Sequence, residues 1–364
     1  MITSQNISQF NHDFREFKQS VYDIKENSST KSLIKWNIKG KTYNVYSNVN
    51  LSIYSRQSCN GNCLFCVEKL RPLSRGRTLD SQKSIIEDDK EYFKRLASVL
   101  NLTKPLNPSI SITGGEPSKD PKLKKILKYI KCFKLRKRTM TTNCSGLLDK
   151  INGTKRQVLD LLIDANIAHL NLSRAHFDEN INHEIMDLEN FHSNMELKEI
   201  IERAKKGGIR PRLSCVLLKG YIENFQDMIK YLDWAASLGV DNVVFRQLMK
   251  FNHKTHLKNK ITQFCENYFI PLSPLLYKIY KSKNYNNKYF SFIKQVLGYY
   301  YYVEVYHYKK PKQMGIDVVF EEADLNFIEL KKMKNTKNPI IYELIFHPNG
   351  RLCSTWQPWD GIII

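Results

Sequence analysis

Ser58-Cys59-Asn60-Gly61-Asn62-Cys63-Leu64-Phe65-Cys66 gathers three of the chain's eight cysteines at the spacing C-x3-C-x2-C. Thiolates so spaced can fold round one iron–sulfur cluster, and Gly61 lets the loop turn tightly enough to aim all three inward. A [4Fe–4S] cube normally takes four cysteines. Three local ligands would leave one iron open to another molecule. A zinc knuckle competes, but it usually closes its tetrahedron with a fourth Cys or His at short spacing. His12 lies well upstream and His169 far downstream. A structural disulfide fits less well, because three cysteines are an odd number and no secretion signal is seen.

The 364 residues can bury a full core, as one large α/β domain with appendages or as two domains. Hydrophobic residues make up 42% and charged residues 26%, which is ordinary for a globular protein. Met1-Ile2-Thr3-Ser4-Gln5-Asn6 lacks the basic and apolar segments of a signal peptide, and no apolar run approaches membrane-spanning length. A soluble cytoplasmic protein with no membrane partner is expected, in a reducing interior that suits thiolate ligands. The net charge of +21 fits a nucleic-acid partner or an anionic substrate. It is spread along the chain, however, and Lys, Asn, Ile and Tyr are abundant together. A lysine-rich composition is the plainer explanation.

Residues 1–30 are polar, with weak helical patterning through Phe10, Phe14 and Phe17. Leu33-Ile34-Lys35-Trp36-Asn37-Ile38 and Tyr43-Asn44-Val45-Tyr46 alternate apolar with polar residues around Lys39-Gly40-Lys41, which predicts a hairpin. From about residue 50, short apolar runs alternate with amphipathic segments. Strands are expected at 51–54, 109–112, 138–141, 169–172, 212–216 and 242–245. Leu123, Ile126, Leu127, Ile130 and Phe133 share one helical face, as do Phe225, Ile229, Leu232 and Ala236. This alternation predicts a parallel α/β sheet of repeated βαβ units. Beyond Met249 the rhythm breaks. Helices are expected at 272–283 and 289–297, and strands at 300–308, 315–320 and 340–346. His347-Pro348-Asn349-Gly350 then turns the chain back through Arg351-Leu352-Cys353. The expected division is an N-terminal extension with the hairpin over 1–47, the main α/β domain over 48–250, and a C-terminal α+β cap over 251–364.

The cysteine run, with Phe65 just before its third cysteine, resembles the signature of the radical S-adenosylmethionine (radical SAM) superfamily. The resemblance implies an incomplete (β/α)6 barrel, which the six expected strands match. It implies that Cys59, Cys63 and Cys66 hold a [4Fe–4S] cluster whose open iron chelates SAM through its amino and carboxylate groups. An electron, from a donor such as flavodoxin or ferredoxin, then splits SAM into methionine and a 5′-deoxyadenosyl radical that abstracts hydrogen from the substrate.

Parallel barrels carry functional groups at the C-terminal ends of their strands, and the remaining motifs fall there. Thr113-Gly114-Gly115-Glu116-Pro117 follows the second strand and resembles the family's GGE motif, whose main chain and Glu116 can address the SAM ammonium group. Thr141-Thr142-Asn143 follows the third and resembles a TTNG run, with Cys144 in place of the glycine and Asn143 as a contact to SAM or substrate. Asn171-Leu172-Ser173-Arg174-Ala175-His176 follows the fourth. There Ser173 is the ribose candidate, and Arg174 the carboxylate partner, because a guanidinium fork matches a carboxylate. His176 beside Asp178 is a candidate substrate acid or base. Leu218, Gly220 and Glu223 partly match the adenine-contact motif GxIxGxxE, with Val216 departing from its first glycine. Leu218 would then pack on the adenine. Arg246 ends the sixth strand and is a candidate substrate contact.

The sequence looks most like the group holding the molybdenum-cofactor GTP cyclase, viperin-type nucleotide enzymes and peptide-modifying enzymes. Only Cys265 and Cys353 lie beyond residue 250, too far apart to predict an auxiliary cluster. The expected substrate is a small molecule, a nucleotide or a peptide. RNA, which the charge would suit, is not favoured. A non-catalytic iron–sulfur RNA-binding protein is the competing class, and the complete triplet and intact GGE speak against it.

Overall fold

The computed structural model describes residues 33–55, 58–71, 73, 77–79, 84–189, 192–249, 251, 256–281, 288–297, 301–323 and 340–364. The helical pattern through Phe10, Phe14 and Phe17 lies outside them. A first strand, β1 (Leu33–Ile38), pairs antiparallel with the start of β2 (Lys41–Tyr54). The predicted hairpin and the strand expected at 51–54 therefore share one long strand. From β2 the sheet continues in chain order through β3 (Ser109–Thr113), β4 (Lys137–Thr142), β5 (His169–Ser173), β6 (Arg210–Val216) and β7 (Asn242–Arg246), all parallel.

Parallel neighbours need crossovers, and helices supply them. These are α1 (Asp89–Thr103), α2 (Leu123–Lys131), α3 (Val158–Asp164), α4 (Glu179–Met186), α5 (Asn194–Lys206) and α6 (Phe225–Ser237). Their starts are written locally: Asp88, Asp178 and Asn224 cap α1, α4 and α6, and Ser193 with Glu196 forms a capping box on α5. Leu51, Ile53, Ile110, Ile112, Leu170 and Leu172 are fully or almost fully buried in the core they share with the helices. The intervening residues of the strands lie on the other face, because side chains alternate along a strand. On β3 to β6 that face is half-buried and polar: Ser111, Thr139, His169 and Arg210 are register partners across it, and so are Thr141, Asn171 and Arg212.

After β7 come α7 (Lys260–Tyr268) and α8 (Leu272–Lys281), then β8 (Phe290–Leu297), β9 (Tyr301–Tyr308), β10 (Ile316–Ala323), β11 (Ile340–Phe346) and β12 (Leu352–Cys353). This region extends the sheet at both edges. The β10 strand joins β7 in parallel and carries β9 and β8 beyond it, while β11 joins β2 in parallel and carries β12. The helix expected at 289–297 is instead β8. Its pairing with β9 sets Phe290 against Tyr308, with ring centroids 4.7 Å apart, and Phe292 against Tyr306 at 5.5 Å. Such cross-strand aromatic pairs override a local helical pattern. The sheet also curls: Lys294 of β8 acts electrostatically on Lys137 of β4, although β5, β6, β7, β10 and β9 stand between them. Among the described residues no helix is long and apolar enough to cross a membrane.

Candidate active site

The cysteine loop leaves the C-terminal end of β2 and is clasped by the turn after α4. The Asn62 backbone N–H donates to the Asp187 carbonyl at 2.9 Å, and its side-chain amide donates to the Asp187 carboxylate at 2.8 Å. Asp187 takes a left-handed conformation, φ 43°, to end the helix and face the loop. Gly61 forms a bridge with Leu188, where a Cβ would lie 2.8 Å from the leucine Cδ2 and 3.3 Å from the Met186 carbonyl oxygen, so a larger residue would have to displace the leucine side chain. The Cys63 thiol donates to the Met186 carbonyl at 3.2 Å. Phe65 and Cys63 pack against a second apolar cluster that includes Leu70, Met186, Leu188 and Leu218.

The β3 and β4 ends meet beside this loop. Gly114 and Gly115 both have positive φ, 82° and 53°, and a Cβ on Gly114 would lie 2.3 Å from the ring of Tyr54. Tyr54 in turn stacks on buried His347 and meets the edge of Trp356, a packed aromatic corner. Glu116 is 1% exposed, and its carboxylate accepts four hydrogen bonds. The donors are the Ser118 N–H at 2.9 Å, the Ser118 hydroxyl at 2.6 Å, the Thr142 hydroxyl at 2.5 Å and the Asn143 N–H at 2.7 Å. Burial raises its pKa, opposed by those hydrogen bonds. Its carboxylate thus bolts the GGE turn to the end of β4. Asn143 then reaches the cysteine loop: its amide donates to Asn60 Oδ1 at 2.9 Å and stands 3.7 Å from the Cys59 sulfur. Cys144, where the TTNG pattern has glycine, is buried at φ 78°. Burial pushes its thiol up to about 12.

Other expected residues are held by main-chain partners. Arg174 is buried, with its guanidinium on the His192 carbonyl at 2.9 Å and Asn194 Oδ1 at 3.2 Å. His176 accepts the Asp178 N–H at Nδ1, 3.0 Å, and burial lowers its pKa. The Asp178 carboxylate caps α4 through the N–H groups of Asn180 and Ile181. Leu218 is fully buried, ahead of a turn that Glu223 closes on the Gly220 N–H at 2.7 Å. Ser173 is half-buried on the helix-free face, and Arg246 on that face pairs with Glu321 at 3.0 Å. Sequence reasoning passed over Asn60, Asn62 and Asp187. Asparagines placed between ligating cysteines were the available signal.

The loop fits a [4Fe–4S] cluster on its own chemistry. Burial pushes the Cys63 thiol up to about 12, with the neighbouring Cys66 and Cys59 adding to it, and the Cys66 thiol up to about 11. Cys59 is raised by burial as well. Three thiolates held this close would be stabilised by a strongly cationic group such as the irons of a cluster. Among the described residues no three His, Cys, Asp or Glu side chains converge on a single ion. A cube does not need that, since each thiolate takes a separate iron.

The Radical SAM superfamily model matches residues 53–235, half of the chain. The chain belongs to the radical SAM superfamily. Its cofactors are a [4Fe–4S] cluster and S-adenosylmethionine. Among solved structures it is similar to Streptococcus suis SuiB bound to precursor peptide SuiA, at 15% identity and a TM-score of 0.52. That match covers 85% of this chain and 60% of SuiB, so the chain spans less than two thirds of that protein, and the likeness is one of fold. It is also similar to native anSMEcpe with bound AdoMet and Cp18Cys peptide, at 16% identity and a TM-score of 0.37, over 54% of this chain and 50% of that one. No curated protein sequence matches the chain.

Proposed function

We propose that the chain is a radical SAM enzyme that removes a hydrogen atom from a peptide lying on the polar, helix-free face of its sheet. That face carries the proposal. Ser111, Thr139, Asn171, Ser173 and Ser214 line it with half-buried hydroxyls and amides, suited to the hydrogen-bonding groups of an extended backbone. A barrel of purely structural use fills the same positions with Val, Ile and Leu. SuiB, of the same fold, has a structure with a bound precursor peptide.

Cys59, Cys63 and Cys66 would hold the cluster. The main chain of Gly114, Gly115 and Glu116 would take the SAM ammonium group, Ser173 the ribose, and Leu218 with Phe65 the apolar side of the adenosyl group. The bound cluster and SAM together supply a one-electron reduction and, through it, hydrogen-atom abstraction. Asn143 orients the loop through Asn60. Arg174, His176 and Asp178 act as positioning residues: His176 and Asp178 fix the start of α4, whose far end clasps the cysteine loop, and Arg174 holds the segment that enters α5. Arg246 faces the substrate.

The test is formation of 5′-deoxyadenosine by anaerobically reconstituted, reduced protein with SAM and deuterated peptides. Peptides that raise its yield and pass deuterium to its 5′ carbon support the proposal. Stimulation by small metabolites or nucleotides, with peptides inert, would replace the substrate. No SAM cleavage at all, with an intact cluster, would overturn the enzyme.

A further inference from the structure

The strand starts on the helix-free face carry more positive charge than their neighbours can balance. His169 is the register partner of Thr139 on β4 and Arg210 on β6, and Asn171 is that of Thr141 and Arg212. Lys137, two residues before Thr139 on the same face, therefore lies diagonally across from His169 on one side, and Arg210 and Arg212 stand directly across from His169 and Asn171 on the other. Strands lie about 4.8 Å apart, which sets both arginines beside His169 and Asn171, and the charge of the long Lys137 side chain acts on His169 and itself feels Arg212.

The acids at hand are already engaged. Arg210 takes both Asp241, at 2.9 Å, and Asp317, at 2.8 Å, while Glu321 pairs with Arg246. Among the described residues Lys137 and Arg212 form no salt bridge: Glu321 and Asp317 act on Arg212 only from a distance, and Arg212 donates to the neutral Asn242 side chain. Lys294 adds a further positive charge toward Lys137. The consequences agree: burial and then Arg246 lower Arg212 to about 10, and burial followed by Lys137, Arg212 and Arg210 lowers His169 to about 4.

Two polar atoms between the cations have no partner. His169 Nδ1 and Asn171 Oδ1 are buried without a hydrogen bond, while the Asn171 amide donates to Thr141 Oγ1 at 3.2 Å. Buried polar atoms are normally paired, and an open acceptor beside unbalanced cations suits a ligand bearing an anion and an N–H.

We propose that Lys137 and Arg212, with His169 and Asn171 between them, form an anion site that binds a carboxylate of the substrate, from an Asp or Glu side chain or a chain terminus. Asn171 Oδ1 would accept a backbone N–H beside that carboxylate. Arg212 precedes Val216, the end of β6, by four residues. At about 3.3 Å per residue the site thus lies about 13 Å from the strand ends, and an extended substrate would carry its acid about four residues from the position attacked. The site deepens the peptide reading and rests on it.

The test measures thermal unfolding of the reconstituted protein with Ac-Gly-Glu-Gly-NH2, its Gln counterpart or inorganic phosphate, at matched ionic strength. The Glu peptide should raise the melting temperature at concentrations about tenfold lower than the Gln peptide requires. Arg212→Gln and Lys137→Gln should melt higher than the wild type without ligand, through relieved repulsion, and lose the preference for Glu. Arg212→Lys should keep it. Equal effects of the Glu and Gln peptides on the wild type would overturn the site, as would stabilisation by phosphate alone. So would a Glu preference that survives in both Gln variants. Loss of 5′-deoxyadenosine formation with the Glu preference intact would instead sink only the enzyme reading.

Discussion

The carboxylate of Glu116 accepts the backbone N–H of Asn143 at 2.7 Å, joining the turn after β3 to the strand end that touches the cysteine loop. All four of its partners act as donors toward it. Glu116→Gln would turn an amide NH2 toward one of them and leave it unpaired, a cost of about 1–3 kcal/mol. Urea unfolding should show this loss, together with weaker cluster retention. A variant as stable as the wild type would mean the bracket is dispensable.

Gly114→Ala should be among the most damaging single-methyl changes in the chain. Its left-handed backbone costs about 1–2 kcal/mol for an L-residue. Overpacking against the Tyr54 ring adds about 1–3 kcal/mol. Gly153→Ala provides the control, since it also has positive φ but has nothing near its Cβ. Comparing the two melting temperatures isolates the close approach.

At Cys144 the opposite holds. Glycine would relieve the left-handed conformation at φ 78° while giving up a small buried thiol. The two effects are of similar size, so Cys144→Gly should change stability by less than about 1 kcal/mol. Its iron content should match the wild type. Loss of iron would make Cys144 a ligand.

His169 makes stability depend on acid. Its folded pKa, about 4, lies below the ordinary 6.5, so between those values the unfolded chain binds more protons. Stability therefore falls as pH drops from about 6.5 toward about 4. Melting temperatures across that range should decline less steeply for His169→Gln. Parallel declines would place the acid sensitivity elsewhere.

Much of this molecule was legible in its residues. The six parallel strands, the crossover helices and the strand-end motifs follow from patterns that local sequence carries, and β4 to β7 lie within two residues of their expected bounds. What escaped was set by distant partners. No local signal tells that Phe290 pairs with Tyr308, or that β10 and β11 join the sheet at β7 and β2. His192 and Asn194, the partners of Arg174, were equally hidden, because they depend on how the chain after β5 folds back. The polar face was readable: His169-Leu170-Asn171-Leu172-Ser173 and Arg210-Pro211-Arg212-Leu213-Ser214 alternate plainly. Parallel strands covered on both faces are usually apolar throughout, so that alternation marks a face kept for something polar.

Cys59, Cys63 and Cys66 are the residues expected to hold the cluster. Iron and acid-labile sulfide per chain, measured after anaerobic reconstitution of Cys63→Ala and of the exposed Cys132→Ser, test this most directly. Cys63→Ala should lose the cluster, and Cys132→Ser should retain it at the wild-type level. Wild-type iron in Cys63→Ala would mean that the cysteine run does not hold the cluster.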